Sequence, residues 1–510
     1  MLTILQTCTL LGIDGVMIRV EVNLSNGLPG FSIVGLADPS IKEAKERVRL
    51  CIQNSGFTFP AKKIVVNLAP AIIKKSGTHF DFSIAVGILI AAEQMEKSIA
   101  KKEAFLGECS LNGDIRGVHG CLPMVLSLKA AGIQRVFLSE DNWSECSMVS
   151  QIELIPVKNL SEFVDQYKHQ STSKLRSSID KPEKIHYSML GDFSDIQGQA
   201  QAIRAMQIAV AGRHNALMIG GPGVGKTMIA NRMPTIMPRL TEEEQIAVMK
   251  IHSVAGMPLE SIIQGLPPVR MPHHTITKAA LVGGGNRIMP GEVSLAHHGV
   301  LFLDELPEFD RHTLELLREP IEDNRIRIAR SAQSIEFPSN FILIAAMNPC
   351  PCGNYGSKYH TCTCSRRERK RYLDHISGPF RDRLDLFIEM EEQLYTIESV
   401  KKTISSAELR TSVNLARQLQ SERYVNESIR FNADLSGEEL SKYCQLSRDS
   451  KRLLQQANRT LHISLRSIVR IQRIARTIAD LDQENEIKEA HLLEAIHYKQ
   501  NSKRYWGAGE

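Results

Sequence analysis

A chain of 510 residues is long enough for roughly three domains of about 150 residues each, and its 43% hydrophobic content is ample for buried cores. A formal net charge of only +5 excludes a whole-chain polyanion-binding field, so any nucleic-acid surface must come from local basic clusters. The ten cysteines lack the spacing of a small secreted scaffold, which excludes a disulfide-stapled domain.

The opening run MLTILQTCTLLGIDG has no basic leader and meets Asp14 early, so it reads as a first strand rather than a signal peptide. The longest apolar stretch, around 84–92, is too short to cross a bilayer, and the expected location is cytoplasmic, with no membrane partner. Over 1–165, β-like runs (18–22, 63–67, 135–138) alternate with helix-like runs (39–55, 82–94, 123–131), predicting an α+β or α/β domain. Cys8, Cys51, Cys109, Cys121, Cys146 and Cys444 sit among apolar neighbours and read as buried thiols. Residues 166–189 turn polar, rich in Ser, Lys and Asp, and read as a linker.

A second, α/β domain is expected over 190–392. An apolar run at 217–219 enters Gly220-Gly221-Pro222-Gly223-Val224-Gly225-Lys226-Thr227, a complete phosphate-binding loop. Its glycines let successive N–H groups face a phosphate chain at the positive end of the following helix. Lys226 would reach the β- and γ-phosphates of ATP, and Thr227 would hold Mg²⁺. Residues 299–305 form a buried strand ending in Asp304, able to bind Mg²⁺ through water, and Glu305, able to polarise an attacking water. A further apolar strand at 341–346 leads to Asn348, whose amide is placed to sense the γ-phosphate. From 393 to 510 the chain becomes helical and charged; 467–482 carries Ile468, Ile471, Ile474, Ala475 and Ile478 on one helical face.

These motifs, with MPHHTITKAALVGGGNRIMPGEVSLAHHGVLFLDELPEF (271–309), DFSDIQGQ (192–199), NPCPCG (348–353) and SGPFRDRLD (377–385), resemble the AAA+ ATPases of the magnesium-chelatase-like group. Over nearly the whole chain the resemblance is to the ComM/YifB-like family of competence-associated helicases. It implies a Lon-protease-like N-terminal domain (ribosomal S5 domain 2-like), a central AAA+ P-loop domain and a C-terminal helical lid. It also implies a homo-oligomeric ring, hexameric in expectation, that hydrolyses ATP at subunit boundaries. Such a ring translocates on single-stranded or branched DNA, driving branch migration during natural transformation and recombination, with other recombination proteins as further partners.

By the same resemblance Asp195, Ile196 and Gln199 would sit near the adenine. Arg383 would be the arginine finger, with Arg371 and Arg381 as rivals and an ion pair to Asp382 or Asp385 as the plainer reading. Arg466 would be the second sensor, with Arg470 and Arg473 one and two turns along. Glycine-flanked Arg287 is a candidate pore-loop residue. Strand alternation at 325–330 puts Arg325, Arg327 and Arg330 on one face, suited to backbone phosphates or to ordinary ion pairs; Arg327 and Arg330 join Arg287 as the DNA-binding candidates. The pairs His273-His274 and His297-His298 are read as structural or pore-lining rather than metal-binding, because adjacent extended residues point oppositely and no carboxylate sits at ligand spacing. Cys350, Cys352, Cys362 and Cys364, spaced CxC, nine residues, CxC, suit structural Zn²⁺, with reduced thiols as the alternative and His360 as a substitute ligand. The basic run Arg366, Arg367, Arg369, Lys370 and Arg371 would touch DNA, a neighbouring subunit or only solvent.

Two rival functions follow. A magnesium-chelatase motor subunit shares the central motifs. A Lon-like peptidase is disfavoured, because His79 stands where the serine nucleophile belongs, Leu122 stands near the expected lysine, and Ser83 and Lys74 are close only in sequence.

Overall fold

The computed structural model describes residues 2–36, 38–96, 102–169, 191–285, 288–330, 333–392, 404–461 and 464–507. Two compact units result, one of Met1–Lys184 with Gln245–Ile263 and the other of Ile185–Glu244 with Gln264–Glu510.

The first unit starts from two strands, Leu2–Leu11 and Asp14–Ser25, whose alternating burial turns one face inward and pairs them antiparallel through ten residues. They lie inside a seven-stranded mixed sheet ordered Gly30–Val34, Lys63–Ala69, Asp14–Ser25, Leu2–Leu11, Glu103–Leu106, Arg135–Ser139 and Glu153–Val157. Helix Pro39–Asn54 begins where the Asp38 carboxylate accepts the Ile41 N–H, a cap whose loss costs about 1 kcal/mol. Helix Asp81–Ala91 is buried at every position and is apolar but for Asp81 and Ser83, as suits an interior helix. The Phe82, Phe105, Phe137 and Phe163 rings pack at centroid separations of 5.1–5.9 Å.

The second domain, expected as an unbroken 190–392, is interrupted. Residues Gln245–Ile263, most of helix Glu242–Ala255 and the turn after it, belong to the first unit. There Ser253 accepts the Gly120 N–H at 2.9 Å and the Lys250 ammonium meets Asp14 at 2.6 Å. Nothing in the helical periodicity distinguishes this helix from its neighbours, because its partners lie more than a hundred residues away. The segment expected as a linker begins as the end of helix Leu160–His169, and the rest of it lies outside the described residues.

The second unit is built on a five-stranded parallel sheet ordered Val269–Arg270, Val300–Leu303, Ile342–Met347, Ala216–Ile219 and Leu386–Glu389. The four longer strands are almost wholly buried, which explains their unbroken apolar runs. Helices of the C-terminal segment, among them Ser406–Arg423, Leu465–Leu481 and Glu489–Trp506, share one hydrophobic core with helix Ala200–Gly212 and one face of this sheet. Inside the lid, buried Asp480 receives Arg423, Arg476 and Asn432, so its charge is met by two guanidiniums and an amide. The six scattered cysteines are buried free thiols. Among the described residues no helix is long and apolar enough to cross a membrane.

Candidate nucleotide site

Strand Ala216–Ile219 runs into the phosphate loop, and helix Lys226–Ile236 leaves it. Gly223 and Gly225 take φ of +78° and +96°, a left-handed path that side-chain-bearing residues avoid. The loop, Asp304, Glu305 and Asn348 together enclose a cavity of about 320 Å³.

Its polar atoms are preorganised on one another. The Lys226 ammonium donates to Asn348 Oδ1 at 2.9 Å and to the carbonyls of Gly220 and Gly221 at 2.7 and 2.9 Å. Burial lowers its pKa against the opposing pull of Asp304 and Glu305. The Thr227 hydroxyl donates to Asp304 Oδ2 at 2.8 Å, while Asp304 Oδ1 accepts the Glu305 N–H at 2.9 Å. Glu305 itself adopts φ +50°, an uncommon left-handed state for a glutamate that turns it out of the strand at the mouth of the cavity.

The adenine-side candidates divide. Gln199 joins the site, its amide donating to the carbonyls of Val224 at 3.3 Å and Glu391 at 2.8 Å, which ties the loop to the end of the last strand. Ile196 is buried in the core on which Val224 packs. Asp195 is half exposed, caps its own turn and pairs with Arg232 at 3.0 Å.

The four clustered cysteines converge. All four Sγ atoms lie within 4.8 Å of one another, and three pairs are separated by 3.4, 3.6 and 3.7 Å. Tetrahedral zinc with Zn–S bonds of about 2.3 Å requires edges near 3.8 Å, so the donor set fits that ion. The backbone N–H groups of Asn354 and Thr363 hold the Cys352 thiol down at about 5, as a thiolate ligand needs. This cysteine segment abuts the phosphate loop: at Gly353, φ +82°, a Cβ would come within 2.8 Å of Pro222.

Other candidates lie apart from the cavity. Arg383 is held in its own chain by Glu322 at 2.6 Å and the Pro379 carbonyl at 2.6 Å, not by Asp382 or Asp385. Its rival Arg381 stacks over Trp506 at 5.0 Å, and Arg371 lines a surface cleft with Arg367 and Lys370. Arg466 is exposed at the start of helix Leu465–Leu481; Arg470 reaches the Leu384 carbonyl and Asp385, and Arg473 the Leu435 carbonyl. Strands Arg325–Arg330 and Gln333–Pro338 form the expected hairpin, but Arg325 and Arg327 both pair with Glu336, at 3.4 and 3.0 Å. The unbroken register sets positions 325 and 327 on one face of the strand and position 330 on the other, so the three arginines do not share the single face expected of them; Arg287 lies outside the described residues.

The paired histidines do not stand on the extended segments expected of them. Both pairs occupy turns rather than strands, so their rings lie side by side with centroids 4.0 Å apart. Each pair also meets a carboxylate distant in sequence: His274 Nδ1 is 3.2 Å from Glu305 and His298 Nδ1 is 3.7 Å from Glu244. His274 is therefore a site residue that spacing arguments missed. A turn-forming histidine upstream of the carboxylate strand was the only signal, and its partner was set by the fold.

A phosphate loop on one parallel strand, with Asp304 and Glu305 ending the strand two places away and Asn348 ending the strand between, defines a P-loop ATPase domain of the AAA+ class. Comparison with known proteins agrees. The family model described as magnesium chelatase, subunit ChlI, matches 192–397; that of its C-terminal part matches 403–499, and a further ChlI model matches 20–142. Competence protein ComM of Haemophilus influenzae is 40% identical over 504 residues, 98% of this chain and 97% of that protein. The uncharacterised protein YifB of Salmonella typhimurium is 40% identical over 98% of this chain and 97% of its own length. The magnesium-chelatase 38 kDa subunit of Acidiphilium rubrum aligns over 183 residues at 25% identity, 31% of this chain and 52% of that protein. The chain belongs to the ComM/YifB family of magnesium-chelatase-like AAA+ ATPases. Membership implies ATP and Mg²⁺ as its cofactors.

Proposed function

We propose that the protein is an ATP-driven DNA motor acting in competence and homologous recombination, a ring of identical subunits that moves single-stranded or branched DNA. The observation that carries this reading is the end-to-end similarity to a competence protein, joined to a complete hydrolytic constellation in one cavity. In this reading Lys226 and Thr227 hold the phosphates and Mg²⁺, Asp304 orients the ion, Glu305 activates water and Asn348 senses the γ-phosphate. His274 positions Glu305. Arg383 acts on the neighbouring subunit's nucleotide after exchanging Glu322 for phosphate, and Arg466, exposed on the lid surface, is the second sensor. Arg287, Arg327 and Arg330 contact backbone phosphates, which makes binding salt-sensitive. The location is cytoplasmic.

The magnesium-chelatase alternative is weaker, because the 38 kDa chelatase subunit of Acidiphilium rubrum aligns at 25% identity over 31% of this chain, against 40% over 98% for the competence protein. For the first unit we favour a Lon-protease-like scaffold without peptidase chemistry. The Lys75 ammonium is buried on the Pro70 carbonyl, the Ser83 hydroxyl donates to the Phe80 carbonyl at 2.8 Å, and among the described residues no serine hydroxyl meets a lysine amine. For the cysteine cluster we favour Zn²⁺; about one zinc per chain in elemental analysis is expected, and a folded, metal-free protein contradicts it.

The test is branch migration of a labelled four-way junction. Wild-type protein with Mg-ATP should resolve it into duplex products, and Glu305→Gln should not. Equal product with and without ATP, or none under any condition, overturns the motor reading.

A further inference from the structure

At the N-terminal ends of the parallel strands, where Gly299 and Ile342 enter the sheet, the second unit holds a cavity of about 570 Å³ that shares no lining residue with the nucleotide cavity. One wall comes from lid helix Ser406–Arg423 and the other from the end of helix Ala200–Gly212. Of the four arginines that line it, Arg213, Arg239, Arg417 and Arg430, two share one aromatic ring. Arg213 and Arg417 both place their guanidiniums over the Phe431 ring, 4.8 and 4.0 Å from its centroid.

These charges are poorly compensated. Among the described residues neither guanidinium forms an ion pair, and Arg213 has no hydrogen-bond acceptor. Arg417 donates once, to the Val210 carbonyl at 2.5 Å, and its Nε is buried with no acceptor. Glu244, which lines the cavity, and Asp434 act on both guanidiniums only from beyond ion-pair range, and each also accepts a backbone hydrogen bond. Glu244 accepts the Thr241 N–H at 3.1 Å and faces His298, while Asp434 accepts the Phe431 N–H at 3.2 Å. Burial pushes the Arg417 guanidinium down to about 9, and the adjacent Arg213 charge pushes the same way. Two like charges held together in a partly dry cavity, with donors left over, are destabilising unless an anion arrives.

The shape says which anion. Two guanidinium forks carry two positive charges and match the oxygens of a phosphate dianion, whereas a monocarboxylate would neutralise only one. Met237, Leu240, Ile342 and Val425 give the lining an apolar side beside the charged Arg239, Glu244, Glu427 and Arg430, and the volume far exceeds that of phosphate alone. We infer that the Arg213–Arg417 cavity binds a small phosphate monoester with an apolar body, bridging the sheet and the lid. Such a ligand would fasten the lid helix to the sheet and change ATP turnover from a site separate from the phosphate loop.

The test uses the full chain carrying Lys226→Ala, so that the phosphate loop does not contribute. Calorimetric titration with phenyl phosphate should show saturable binding, with weaker binding of inorganic phosphate and none of benzoate at equal ionic strength. Arg417→Leu and Arg213→Gly should each weaken phenyl phosphate at least about tenfold. The glycine variant retains the fold because Arg213 sits at φ +62°, where glycine is favoured. Absence of saturable binding, binding of benzoate as tightly as phenyl phosphate, or unchanged affinity in Arg213→Gly overturns the assignment.

Discussion

Two buried aspartates, one in each unit, show how the same side chain is tuned in opposite directions. Asp81 in the first unit is 1% exposed and meets one cation, Arg47, at 2.7 Å. Burial prevails there, and its carboxyl is pushed up to about 7. Asp385 in the second unit is also buried, yet His214, 3.7 Å away, and the charges of Arg470 and Arg473 outweigh burial and hold it at about 2. Its Oδ2 also accepts the Asn215 N–H, one residue before the strand that becomes the phosphate loop. One guanidinium does not keep a buried carboxylate charged, but several donors do. The nucleotide unit spends its donors on the strand that carries its chemistry.

The largest expected effect lies in that chemistry. Lys226→Ala and Glu305→Gln should each lower ATP turnover by roughly 10²- to 10⁴-fold in a steady-state assay, with Glu305→Gln still retaining bound ATP. Normal hydrolysis by Glu305→Gln would remove it from the water-activating role. Next comes the pair of aspartates. Asp385→Asn leaves buried cations without their counter-charge and should cost about 3 kcal/mol in denaturant unfolding, against roughly 1 kcal/mol for Asp81→Asn, whose partner Arg47 is partly solvated.

Their pH dependences have opposite signs. Asp385, depressed in the folded state, contributes stability that is complete above about pH 4 and is lost as pH falls toward 2. Asp81, raised in the folded state, contributes most below about pH 4, and that contribution fades as pH rises through 7. Unfolding midpoints of the two variants across this range check both signs. A smaller effect is expected at His274: the His274→Ala variant should lower kcat about tenfold with little change in KM for ATP, since the ring contacts Glu305 rather than the phosphate loop. Smallest is Arg327→Ala, which should reduce the salt slope of DNA binding by about 1; an unchanged slope means that the pair with Glu336 is its whole role.

The local part of the site was legible. The phosphate loop, the strand ending in Asp304 and Glu305, and the strand leading to Asn348 are each encoded within a few residues, by glycine placement and unbroken apolar runs. The cysteine cluster was legible from spacing for the same reason. What escaped depends on chain segments brought together from afar. His274 meets Glu305 only because a turn, not a strand, carries the histidine pair. Residues Gln245–Ile263 join the first unit through Ser253 and Lys250, whose partners Gly120 and Asp14 belong to a different stretch of chain. Arg383 took Glu322 rather than its sequence neighbours, and Arg213 and Arg417 met over Phe431, because helix ends rather than periodicity decide where long side chains finish.

The central claim is that hydrolysis at the phosphate loop is coupled to DNA. ATP turnover by the full chain, measured at low salt with and without single-stranded or branched DNA, tests it directly. The account predicts a rate that rises severalfold with either DNA and a stimulation that fades as salt is raised. A rate indifferent to both DNAs, in a protein that hydrolyses ATP but retains neither DNA at low salt, would contradict it.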